Sequence, residues 1–206
     1  VLVIIGLIVG GVVAGNQMLE SAKAKKAFST VQSYGAALNV FKLKYNHLPG
    51  DMPTANQYWG ATCGGAGTGT TQCDGNGNGE FSATSAYEIA KAHHHLDLAG
   101  MRLFTYQAPG QYQLHNTNFI GVRVPEVDYG VDRTLIGFDY WNTSGQRLWG
   151  KDANGKIITL AALRTTIHSP VQASLTIEQA QGMDAKYDDG LASSGKIVAS
   201  NDPSIS

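Results

Sequence analysis

Charge is scarce in this sequence. Of its 206 residues only 15% are charged, and 15 Lys and Arg nearly cancel 16 Asp and Glu to leave a net charge of −1. That balance argues against a dedicated nucleic-acid site, which usually shows a basic patch. Cysteine is scarcer still. Cys63 and Cys73 are the whole complement, too few for a disulfide-built scaffold, and no Cys-x-x-Cys pair is present. Proline is absent before Pro49, so nothing upstream of it forces a break in a helix. The patterns that carry chemistry are missing too: no glycine-rich loop ends in Gly-Lys-Ser/Thr, no His-Glu-x-x-His lies on a helix, and no nucleophile elbow occurs. We expect no enzyme and no catalytic residues. The 43% hydrophobic content is ordinary, whereas 25 glycines with so few charges point to a loop-rich extracellular surface.

What the chain does have is a long hydrophobic run. Val1–Ala14 (VLVIIGLIVGGVVA) is apolar without interruption and carries Gly6, Gly10 and Gly11, with Gly15 just beyond. The sequence continues without proline to about Asn46, now with charges. Apolar residues at Leu19, Ala22, Ala27, Val31, Tyr34, Leu38, Phe41 and Tyr45 recur mostly every three or four residues, as one face of a helix requires. The opposite face carries Glu20, Lys23, Lys26, Ser33 and Lys44. The pattern predicts one helix from Val1 to about Asn46, roughly 70 Å long. It must end there, because Pro49 disfavours helical geometry at Leu48 and Gly50 follows. A helix of that length exceeds what one small domain can bury, so its apolar start needs another environment. Lipid is one, although a bilayer takes about 20 apolar residues. The surface of sister helices is the other, where small residues let backbones approach closely.

This opening resembles the N-terminal helix of type IV pilins and type II secretion pseudopilins, strongly over residues 1 to about 50 and weakly beyond. The resemblance implies a helix held in the inner membrane before assembly and then packed against identical helices in a filament core. It implies an assembly surface at Val1, Val3, Ile4, Ile5, Leu7, Ile8, Val9, Gly10, Val12 and Val13. Members of the family begin with an N-methylated Phe and carry a Glu a few residues later; here the chain opens on Val1, and about eight further residues would complete a bilayer span. The proline that many pilins carry near the middle of this helix is absent as well.

The rest reads as a head. Residues 48–84 are a long Gly/Thr-rich excursion holding Cys63 and Cys73, which in an oxidising compartment form one short disulfide. Asp74-Gly75-Asn76-Gly77-Asn78-Gly79-Glu80 matches the first positions of a calcium loop, with Asp74, Asn76, Asn78 and the Glu80 carbonyl as candidate ligands. Ser85 stands where the bidentate Glu belongs, and Glu88 is the substitute. A polar turn in which Asn and Asp bond their own backbone fits the same residues. Ser85–Ala99 is predicted helical. His93–His95 cannot converge on one ion from consecutive helical positions, so a His near the helix C-terminus, favourable to the dipole, is the reading there. Phe119–Val124, Thr134–Trp141 and Lys156–Leu163 read as strands. Asn154-Gly155 suggests a turn, making Leu148–Leu163 a hairpin. Leu175–Tyr187 reads as a second short helix, Asp184, Asp188 and Asp189 as a solvated turn at its end, and Lys196–Ala199 as an edge strand.

The expected class is α+β: a helix stem at 1–47, apolar over 1–15 and amphipathic over 16–47, and a globular head at 48–206 with an antiparallel sheet. The expected function is that of a structural subunit of an extracellular type IV pilus-like filament at the cell surface. Its partners are identical subunits, and before assembly the inner membrane and the pilus assembly machinery. A type II secretion pseudopilin and a membrane-anchored, calcium-dependent binding module are the alternatives.

Overall fold

A computed structural model of the chain describes residues 2–64, 72–79, 81, 86–101, 103–107, 125–129, 134–139, 157–163, 170–172, 175–191, 194–195 and 197. Helix predominates among them. The N-terminal helix forms as a single element, α1, over Leu2–Tyr45. Asn46 ends it in the left-handed conformation at φ 57, which Asn tolerates better than most residues. The Asn46 N–H still reaches back to the Lys42 carbonyl at 2.8 Å, satisfying one of the carbonyls a helix end leaves open.

Only part of α1 is packed. Its buried residues are Ala24, Ala27, Tyr34, Ala37, Leu38 and Phe41, a stripe at helical spacing. The periodic pattern places the stripe's start at Leu19. Burial instead begins at Ala24, since Leu19 is 54% exposed and Ala22 is exposed as well. The apolar period runs on past the point where the rest of the chain stops covering it.

After α1 come a short helix α2 (Ala55–Trp59), a 3₁₀ turn (Gly60–Cys63), helix α3 (Ala86–Leu98), strands β1 (Glu126–Val127), β2 (Thr134–Asp139), β3 (Ile157–Leu163) and β4 (Pro170–Gln172), and helix α4 (Ile177–Tyr187). The strands pair in the order β1-β2-β3-β4, each antiparallel to its neighbour. β3 supplies Ile157–Leu163, the second half of the hairpin expected at Leu148–Leu163. It pairs with β2 from Thr134↔Ala162 to Asp139↔Ile157; residues 148–156, with the Asn154-Gly155 turn, lie outside the described residues, as does the strand expected at Phe119–Val124. A six-residue ladder between two branched segments is a long-range choice that a local turn signal does not reveal. Ile197 is a buried bend residue rather than part of a strand, and its neighbours 196, 198 and 199 lie outside the described residues.

Helix α3 is the hub. Tyr34 of α1 meets the edge of the His93 ring at 5.5 Å, and the His93 ring contacts the Ile136 carbonyl of β2 at 3.1 Å. Covered from both sides, the helix has Lys91, Ala92, His93, His94, His95 and Leu96 all buried. Consecutive burial is the mark of a helix enclosed all round, here in a run whose composition reads as polar.

The stripe supports a direct test. Phe41 is fully buried and packs on Tyr45 and Trp59 at 4.5 and 6.2 Å, so Phe41→Ala should cost about 3–5 kcal/mol in chemical denaturation. Leu43, two residues on, is 88% exposed; Leu43→Ala should change stability by no more than about 0.5 kcal/mol.

Candidate functional site

Two sites matter: the bare start of α1 and the cluster that holds the disulfide loop. Every residue of α1 from Leu2 to Ala22 is exposed. Val3, Ile4, Ile5, Leu7, Ile8, Val9, Val12 and Val13 each show more than half their surface, and Gly10 lies among them; Val1 is outside the described residues. An ordinary amphipathic helix hides one face, whereas this segment hides none. It is the one helix among the described residues long and apolar enough to cross a membrane. Lys23 marks where the chain's cover begins, its ammonium 3.3 Å from the Asp128 carboxylate, a surface pair worth at most about 1 kcal/mol.

The second site is built around α3. Cys63 and Cys73 are joined in a disulfide, and both are buried. His95 sits against it. The Gly50 N–H donates to His95 Nδ1 at 2.8 Å, which leaves the ring proton on Nε2, facing the Cys73 carbonyl at 3.1 Å and the Cys73 sulfur at 3.3 Å. One ring nitrogen of His95 and the two sulfurs lie within 4.8 Å of one another, close enough for a metal. Yet the sulfurs are bonded to each other and the facing nitrogen carries a proton, so with the disulfide closed no lone pair set is offered to an ion. His95 is a strut for the loop.

The segment Asp74–Gly79 is tied down by its backbone. Asp74 Oδ1 accepts from the Asn56 N–H at 2.7 Å, serving the first turn of α2, whose N-cap Thr54 makes no side-chain cap. The Asp74 carbonyl accepts from the Lys91 ammonium at 2.8 Å. Asn76 Oδ1 accepts from the Asn78 N–H at 2.9 Å, an Asx turn. The amides of Asn78 and Gly79 converge on the carboxylate of Asp51, at 3.0 and 2.8 Å, and the Gly77 amide takes the Asp51 carbonyl at 2.9 Å. Asp51 therefore organises this loop, and the sequence reading does not name it. Its only local signal is an Asp between Pro49 and Pro53. Asp74 and Asn76 each face a backbone amide, and Glu80 lies outside the described residues.

Burial dominates the electrostatics. It pushes His93 and His95 down to about 3 and His94, stacked on Tyr106 at 4.6 Å, down to about 4. The Ile136 carbonyl offsets part of this for His93, and Asp97 for His94. Lys91 is pushed down to about 8 by burial, against the charges of Glu88 and Asp74. Burial also raises the Asp51 carboxyl, and the amides of Gly79, Gly77 and Asn78 oppose it. The expectation of a His near the α3 C-terminus meeting the helix dipole is thus replaced by three neutral, enclosed rings.

These rings set a pH dependence with a definite sign. Their folded pKa values lie below the usual 6.5, so as pH falls the unfolded chain takes up protons that the folded chain refuses. Stability from this source is complete above about pH 6.5 and is lost progressively toward pH 4. Each fully neutral His contributes about 1.4 kcal/mol per pH unit in that window. Urea unfolding between about pH 6.5 and 5, above the usual carboxylate range, should steepen accordingly, and His94→Phe should remove one proton from the slope. A flat profile would show that the rings protonate in place.

Comparison of the chain with protein-family models, with curated proteins and with solved structures finds no match.

Proposed function

We propose that this chain is a structural subunit of an extracellular, type IV pilus-like filament, with α1 as its assembly element and the α+β remainder as a head. The observation that carries the reading is the uncovered start of α1. Burying its large aliphatic side chains is worth on the order of 20 kcal/mol at about 1.5–3 kcal/mol each, which a free monomer in water forgoes. The glycines add a second argument. Gly6, Gly10, Gly11 and Gly15 each cost a helix about 1 kcal/mol relative to Ala. A side chain at any of them would meet nothing within 4 Å in the isolated chain, so their smallness serves nothing inside the subunit. It serves close approach of another helix.

In this reading α1 waits in the inner membrane, where the assembly machinery meets it, and then exchanges lipid for the same segment of its neighbours. Both environments satisfy the same apolar surface, so the exchange needs no refolding of the head. The disulfide and the enclosed α3 suit a head that works outside the cell, at the surface, in adhesion or related tasks. A secretion pseudopilus uses the same element and is the variant of this reading in which the fibre stays short.

The glycine positions also supply the test. Gly10→Asp has room in the isolated subunit and should leave the head's unfolding transition unchanged. In a helix-packed core it places an unpaired charge in every subunit, at a cost of several kcal/mol, and should abolish fibres in negative-stain images of the purified protein. Fibres at normal yield from the variant would overturn the core-packing reading. Discrete particles from the parent chain would favour a membrane-anchored binding module instead.

A further inference from the structure

Helix α4 ends in an arrangement that its sequence does not explain. A capping box, with Gln179 N–H on Thr176 Oγ1 at 3.2 Å and Thr176 N–H on Gln179 Oε1 at 3.0 Å, opens it in the usual way. Its other end carries Asp184, Asp188 and Asp189, where the helix dipole favours cations and acids are destabilising. Asp184 is not solvated, as the sequence suggests, but 4% exposed. Its Oδ1 is buried without a hydrogen-bond partner, a costly state for a carboxylate oxygen. One carboxylate oxygen from each of Asp184, Asp188 and Asp189 lies within 4.8 Å of the others. Oxygens gathered this closely are what a shared cation needs.

Residues beyond the helix hold two of the three carboxylates in place. Asp188 Oδ2 accepts from the Ile197 N–H at 2.6 Å. Asp189 accepts from the Leu191 N–H at 2.9 Å and the Ser194 hydroxyl at 2.7 Å. Gly195 lies at φ 77, and a side chain there would collide with the Asp188 carboxylate. Among the described residues Lys186 is turned elsewhere, its ammonium lying over the Tyr187 ring at 5.6 Å. Burial and the charges of Asp189 and Asp188 raise the Asp184 carboxyl, with the Gly190 amide offsetting part of this.

We propose that Asp184, Asp188 and Asp189 at the C-terminal end of α4 form a site for a hard divalent cation, calcium before magnesium. Oxygen donors alone select a hard ion, and an irregular set drawn from a helix end and a loop suits calcium's flexible coordination better than magnesium's octahedron. Bound there, the ion joins α4 to Leu191, Ser194 and Ile197, which the Asp188 and Asp189 carboxylates already hold. α4 in turn packs on the stem where the stem leaves its cover, Tyr187 stacking on Phe28 at 4.5 Å. The site stands independently of the filament reading.

The test uses the full chain in detergent, with calcium chloride and magnesium chloride as separate titrants and a chelator as reference. Calcium should bind in roughly the 10⁻⁴–10⁻³ M range of extracellular modules and raise the melting temperature, with magnesium weaker. Asp184→Asn removes a buried charge, so it should melt at or above the parent in chelator and below it in millimolar calcium. Asp189→Asn, at an exposed position, should keep the fold and weaken calcium by about tenfold, following the ligand charge count. The proposal is overturned if calcium leaves the parent's melting temperature unchanged or if both variants keep the parent's shift. It is equally overturned if Asp74→Asn abolishes the shift while the α4 variants retain it, which assigns the ion to the Asp74 loop.

Discussion

A helix of 44 residues against a chain that covers only its later half is the constraint from which the rest follows. Backbone hydrogen bonds make α1 self-sufficient along its axis, but they do nothing for its side chains. From Ala24 onward the helix gains burial against α3, α4 and the loop that follows α1. Before Lys23 it gains none. In the proposed filament this bare surface is completed by one that is apolar, elongated and able to come close at the glycine positions.

The buried half depends on a different kind of interaction. α3 is enclosed on all sides although its sequence supplies Lys91 and three histidines to the interior. Polar groups in that position are tolerable only when their hydrogen bonds are met by protein. The Asp74 carbonyl receives Lys91, the Ile136 carbonyl contacts His93, and the Gly50 amide with Cys73 brackets His95. These contacts cross from α3 to the loop, to the disulfide and to the sheet. One polar run thereby fixes three separate segments against the stem, in places where glycine- and threonine-rich sequence offers little apolar surface to do so. Gly50 is required for this fit, because at φ 84 its α-carbon lies against the Glu88 carbonyl with no room for a side chain.

How much of this was legible in the sequence follows from the range of each interaction. The helix α1 and its end at Asn46 were legible, since periodicity and the Pro49 signal are local. β2, β3 and α4 were legible within two residues at each end, again from local composition. The partner of β3 was not, because ladder pairing is chosen between distant segments. Asp51 was missed for the same reason. It meets Asn78 and Gly79 across a loop whose closure no short motif encodes, while the Asp-Gly-Asn-Gly-Asn-Gly repeat drew attention to itself. His93 and His95 were misread because burial is a property of what surrounds a helix, and composition reports only the helix.

The junction between the covered and uncovered parts of α1 is where these two halves of the structure act on each other. Lys23 reaches Asp128 beside β1, and Phe28 stacks on Tyr187 of α4. The Tyr129 hydroxyl, next to Asp128, donates to the Gln179 carbonyl of α4 at 3.5 Å. The stem, the edge of the sheet and the last helix thus meet within about one and a half turns of α1, just below the point at which it becomes bare. In the proposed filament, load carried by the bare segment enters the head through these contacts. Single surface ion pairs hold little, so the aromatic stack and the packing of α4 must carry most of it. An element that stiffens the far end of α4 would therefore act on the mechanical weak point of the subunit without touching the assembly helix. The orphaned Asp184 oxygen lies at that end, one turn of helix from the ring that grips the stem.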